Sequence, residues 1–132
     1  MTSDRLFVYG TLMRGYVHPM ARLLSANADF LGEASCRGKL YMVKHYPGLV
    51  LSENASDIVH GELYRLRAPD DLLREFDMYE ACGEGFSEPT QYVRKMLQVA
   101  LANGSASEAW TYIYNWPVAE LKRIESGRFL GK

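Results

Sequence analysis

Near the N-terminus four apolar residues follow one another without a break, Leu6-Phe7-Val8-Tyr9, and Gly10-Thr11 cuts the run off. A half-exposed strand alternates apolar and polar residues, so an uninterrupted run predicts a strand buried on both faces. The chain has 132 residues, 48% of them apolar and 23% charged. That is material for one domain spanning residues 1–132, with an ordinary hydrophobic core.

The rest of the chain reads as more strands and two helices. Met20, Leu23 and Leu24 fall at helical spacing within residues 18–26. Residues 30–43 read as one long or bent strand, with Gly32 and Gly38 as bulge or bend points. Tyr46-Pro47-Gly48 reads as a turn and Leu49-Val50-Leu51 as a short strand after it; residues 59–66 form another strand. Pro69 opens a second helix, with Asp70 and Asp71 in the first turn, where carboxylates suit the dipole. Leu72, Leu73, Phe76 and Tyr79 follow at helical spacing, and Gly83 and Gly85 end the helix. Residues 92–101 and 108–115 make a hairpin around the Asn103-Gly104 turn. The expected fold is α+β: a small, curled, mixed β-barrel with short flanking helices.

Charge and composition exclude several functions. A net charge of −1 with scattered basic residues argues against a nucleic-acid partner. No apolar stretch approaches the roughly 18 residues that span a bilayer, so no membrane partner is expected. No positive segment followed by an apolar one precedes Leu6, so a signal peptide is not expected and the protein is read as cytoplasmic. Cys36 and Cys82 are too few for a disulfide framework. His18, His45 and His60 lack ligand spacing, so no metal is expected.

Glu80 is the most informative single residue. On the second helix it lies seven positions after Leu73 and four after Phe76, on their inward face. Asp70, Asp71, Glu75 and Asp77 point mainly elsewhere and can be solvated. Burial and a helix C-terminus both raise a carboxyl's pKa, toward the range where it accepts and returns a proton near neutral pH. The alternative is a helix that frays first and leaves Glu80 in water. Tyr9-Gly10-Thr11-Leu12 is the second feature. A strand leaving through Gly-Thr exposes backbone N–H groups that suit a carboxylate or a polarised carbonyl; the alternative is a plain strand-to-loop turn. Tyr92 opens a strand close enough in chain to line the same cavity, unless it is a packing residue. Trp110, Tyr112 and Tyr114 form a stripe without basic companions, which reads as core or cavity lining. Cys82 reads as a partly buried, inert thiol.

Taken in order, these segments resemble a known family. Leu6-Phe7-Val8-Tyr9-Gly10-Thr11-Leu12-Met13-Arg14-Gly15 is similar to the opening signature of the γ-glutamylcyclotransferase-like (AIG2-like) superfamily. Val59-His60-Gly61-Glu62-Leu63-Tyr64, Phe76-Asp77-Met78-Tyr79-Glu80, Tyr92-Val93-Arg94 and Ala109-Trp110-Thr111-Tyr112-Ile113-Tyr114 resemble its later blocks. The resemblance implies a small β-barrel and a cyclisation that releases 5-oxoproline and a free amine from a γ-glutamyl compound, formally a carbon–nitrogen lyase or acyl transfer. It implies Glu80 as the catalytic acid–base, Tyr9, Gly10, Thr11 and Leu12 as the substrate loop, and Tyr92 as a pocket residue. It implies a small-molecule γ-glutamyl partner and no cofactor. Where the family often has glycine after its glutamate, this chain reads Glu80-Ala81-Cys82-Gly83-Glu84-Gly85, which bears on which substrate fits. Two other readings stay open: a binding module that captures a small amine or amino-acid derivative without turnover, and an interaction protein with a filled cavity. The sequence fixes neither the leaving amine nor the oligomeric state.

Overall fold

A computed structural model describes residues 4–80 and 89–130. The elements run β1 (Arg5–Val8), α1 (Pro19–Asn27), β2 (Ala28–Met42), β3 (Pro47–Leu51), β4 (Ile58–Leu66), α2 (Pro69–Tyr79), β5 (Tyr92–Leu101), β6 (Ala106–Tyr114) and β7 (Lys122–Ile124). The strand order is β3-β2-β4-β1-β6-β5, and a further β2–β5 pairing closes β2, β4, β1, β6 and β5 into a five-stranded barrel. β1 and β6 run parallel, with Leu6 opposite Trp110, and the other pairings are antiparallel. The barrel is therefore mixed, as expected, with two short helices.

Two apolar layers explain why β1 lacks polar residues at its buried positions. Leu6 and Val8 pack with Tyr64, Leu66, Tyr112 and Tyr114 beneath Leu24, Leu72, Leu73 and Phe76 of the helices. Phe7 faces the other way, with Leu63, Val59, Val99, Ala109 and Ile113, and fills the barrel. Side chains alternate along each strand, so the outer face meets the helices and the inner face meets itself.

β2 is long enough to serve two sheets. Residues 28–37 pair with β4, while residues 38–42 pair with β3 and, over 40–42, with β7. The register shifts between Phe30 and Gly32, where Gly32 has φ of 140°, a conformation that suits glycine and makes a bulge. Gly38 differs from expectation: the ladder runs through it without a shift, and its lack of a side chain admits Leu49 and the Val50 carbonyl. Pro47 begins β3 rather than belonging to a turn, and β7 was not anticipated. The proposed helix-ending Gly83 and Gly85 lie outside the described residues, as does Cys82. Among the described residues no helix is long and apolar enough to cross a membrane.

Candidate functional site

α2 starts as its sequence dictates, with Pro69 in the first turn beside Asp70 and Asp71. Its last residue is Tyr79. Glu80 caps it in αR geometry, and the Glu80 N–H still donates to the Phe76 carbonyl at 2.8 Å. That bond holds Glu80 on the Phe76 face. The carboxyl is partly buried and joins the wall of a cavity of about 260 Å³. Tyr9, Gly10, Thr11, Leu12 and Tyr92 line the same cavity, so the candidate residues converge on one site.

The Glu80 carboxyl is pushed up to about 7, first by burial and second by the negative charge of Asp77. The expectation that Asp77 is solvated needs correction. Asp77 Oδ1 accepts from Arg94 Nε at 2.8 Å and from the Tyr112 hydroxyl at 2.7 Å, and Oδ2 accepts from Arg94 Nη2 at 3.0 Å. Arg94 also stacks on Trp110, 4.5 Å from its ring centroid. The aromatic stripe therefore has a basic companion, supplied across the hairpin where Arg94 pairs with Tyr112. Tyr112 lines the cavity; Tyr112 and Tyr114 are buried.

The loop after β1 turns tightly, with the Met13 N–H donating to the Gly10 carbonyl at 3.0 Å. The N–H groups of Gly10, Thr11 and Leu12 enter no backbone hydrogen bond among the described residues. Buried backbone donors are nearly always paired, and these three residues line the cavity, which makes the loop a candidate site for an anion or an oxyanion. Gly10 is needed for space: a Cβ there would stand 2.7 Å from Pro47 Cγ.

Both tyrosines have committed their protons. The Tyr9 hydroxyl donates to the Tyr112 carbonyl at 2.6 Å and accepts from the Leu49 N–H at 3.2 Å. The Tyr92 hydroxyl donates to the Pro47 carbonyl at 2.6 Å. Burial raises both phenols far above the usual tyrosine range, and the charge of Glu80 adds to it. They wall the cavity and anchor β3, and neither phenol is set to exchange a proton near neutral pH.

Spacing did not reveal the rest of the lining. Tyr79 closes one side, its hydroxyl 3.0 Å from Thr11 Oγ1 and its ring 5.1 Å from His18. His18 caps α1, its Nδ1 accepting the Met20 N–H at 3.1 Å. On the other side Tyr46 stands 6.3 Å from Tyr92, centroid to centroid, and accepts from Gln91 Nε2 at 2.9 Å. The local signals were a histidine before a proline and a Tyr-Pro-Gly turn, neither of which points to a cavity. Among the described residues no group of three or more His, Cys, Asp or Glu side chains could hold a metal ion.

The family model described as gamma-glutamyl cyclotransferase, AIG2-like, matches residues 6–131. The gamma-glutamylcyclotransferase family protein YtfP of Escherichia coli strain K12 is 36% identical over 131 residues, 97% of each chain. The solution structure of ytfP from Escherichia coli superposes with a TM-score of 0.62, covering 96% of both chains at 36% identity. The crystal structure of an aig2-like protein from Mus musculus gives 0.71, over 91% of this chain and 82% of that one, at 26% identity.

Proposed function

Because the chain belongs to the gamma-glutamyl cyclotransferase, AIG2-like family, we propose that it cyclises a γ-glutamyl amine or γ-glutamyl amino acid, releasing 5-oxoproline and the free amine. The observation that carries this reading is a carboxyl with a pKa of about 7 sharing a cavity with free backbone donors. In the reaction the substrate's α-amine attacks its own γ-carbonyl and closes a five-membered ring. The amine arrives as an ammonium, so a proton must leave it before attack, and the departing amine must receive one.

Glu80 performs both transfers. Near pH 7 a substantial share is carboxylate and takes the ammonium proton; the resulting carboxylic acid protonates the leaving nitrogen as the C–N bond breaks. The regenerated carboxylate takes the second proton from the ring nitrogen and passes it to the departing amine, which leaves as an ammonium. The N–H groups of Gly10, Thr11 and Leu12 hold the substrate's α-carboxylate or the oxyanion that forms on the γ-carbonyl. Tyr9, Tyr92 and Tyr112 wall off the folded-back glutamyl chain, and holding its ends together is worth on the order of 7–11 kcal/mol.

The test is Glu80→Gln, assayed for 5-oxoproline against a panel of γ-glutamyl amino acids and γ-glutamyl amines. The wild-type chain should turn over at least one, and the variant should lose at least about 100-fold in kcat. Retained activity would remove Glu80 from the chemistry. Tight binding by the wild-type chain with no turnover of any substrate would favour the binding-module reading.

A further inference from the structure

The short loop that carries the free N–H groups is held at both ends by one residue of the neighbouring strand. Where the chain leaves β1, Val8 is paired with Glu62 in the β1–β4 ladder. Where it returns, the Arg14 N–H donates to Glu62 Oε1 at 3.0 Å. The same oxygen accepts from the Tyr64 hydroxyl at 2.9 Å. The Arg14 guanidinium lies 3.7 Å from Glu62 Oε2 and 3.7 Å above the centroid of the Phe30 ring. Glu62 is only 7% exposed. A side chain so buried is accommodated because its carboxyl oxygens are met by donors, here a backbone amide, a phenol and a guanidinium. Gly61 helps: it lies against the Val8 carbonyl and the Phe7 ring, where a side chain would not fit, so β4 comes close to the point at which the loop departs.

Neither Glu62 nor Arg14, Tyr64 or Phe30 lines the cavity. Glu62 stands outside that cavity, so its carboxylate would act on a ligand there through the loop. We propose that Glu62 is the positioning residue of this loop: its backbone at Val8 and its carboxylate at Arg14 set the spacing of the Gly10, Thr11 and Leu12 N–H groups that grip the substrate. The inference rests on the role given to those N–H groups above. Preorganised donors bind charge well because they need no rearrangement when it arrives, and a short loop fixed at both ends has little freedom left.

Amide exchange and ligand titration, both followed by NMR, test it. In the wild-type chain the Arg14 amide should exchange at least about 100-fold more slowly than those of Thr11 and Leu12, since only the former is bonded to a buried acceptor. An Arg14 amide as fast as that of Thr11 overturns the proposal, whatever the turnover. 5-Oxoproline is then titrated and its effect read at the Gly10, Thr11 and Leu12 amides. Glu62→Gln keeps an acceptor and should bind within about threefold of wild type, while Glu62→Leu should weaken binding about tenfold or more. The Leu variant should also lose Arg14 protection and raise KM far more than it lowers kcat. A lower melting temperature with affinity and Arg14 exchange unchanged would reduce Glu62 to a structural residue and overturn the proposal. Should Glu62→Leu not fold, Tyr64→Phe removes the other strong donor and should speed Arg14 exchange; unchanged exchange counts against the anchor. A wild-type chain that binds 5-oxoproline but forms none from any γ-glutamyl compound defeats the reaction reading, while the Arg14 amide judges the anchor separately.

Discussion

The Glu80 carboxyl stands at about 7 because burial and Asp77 both oppose its charge, and activity and stability should each depend on pH through it. In the proposed reaction the carboxylate accepts the substrate's proton, so kcat/KM should fall as pH drops below about 7. Asp77→Asn removes the nearby charge and should move that limb to lower pH, readable in a pH–rate profile at saturating and sub-saturating substrate. For stability the sign is set by a folded-state pKa above the ordinary 4.5. The folded chain binds this proton more tightly than the unfolded chain, so the contribution is complete below about 4.5 and lost as pH rises through about 7. Glu80→Gln mimics the protonated form. At pH 8 it should melt above wild type, by on the order of 2 kcal/mol after allowance for partial exposure, and the difference should shrink toward pH 5. Thr111 offers a second residue-scale test, since its buried Oγ1 has no hydrogen-bond partner among the described residues. Thr111→Val should raise stability by about 1 kcal/mol, measured by denaturant titration.

Among the elements, those with strong internal patterns were legible in sequence. β1 announced itself by its unbroken apolar run, α2 by Pro69 and the spacing of Leu72, Leu73 and Phe76, and the β5–β6 hairpin by Asn103-Gly104. What stayed hidden depends on partners distant in the chain. β7 is three residues long and exists because Lys122, Arg123 and Ile124 pair with Met42, Tyr41 and Leu40; so short a segment has no periodicity to read. The Asp77–Arg94–Tyr112 network was missed for the same reason, since hairpin register and helix packing bring it together. Helical spacing, by contrast, is a local property, and it sufficed to put Glu80 on the inward face. The glycines divided by cause. Gly32 sits at the β2 bulge with φ of 140°, and Gly32→Val should cost about 1–3 kcal/mol, visible as a lower denaturant midpoint. Gly38 is a matter of close packing, which composition alone cannot separate from a bend.

At the scale of the whole molecule, the helix-covered layer and the barrel interior are distinct apolar bodies that share the wall formed by β1, β4 and β6. Cys36 belongs to the barrel interior, and burial pushes its thiol up to about 12. Thiol labelling of Cys36, followed by peptide mass, should therefore track global unfolding and remain negligible under native conditions. The cavity draws Phe7 and Tyr9 from the interior and Val8, Leu12, Tyr92 and Tyr112 from the helix-covered layer. Glu80 itself rides on the helix side, one residue beyond α2. A lineage, or a designer, can therefore revise the contents of the barrel away from Phe7 and Tyr9 to gain thermal tolerance while the surroundings of Glu80 keep their inheritance. Changes that retune the chemistry should accumulate instead on the helical side.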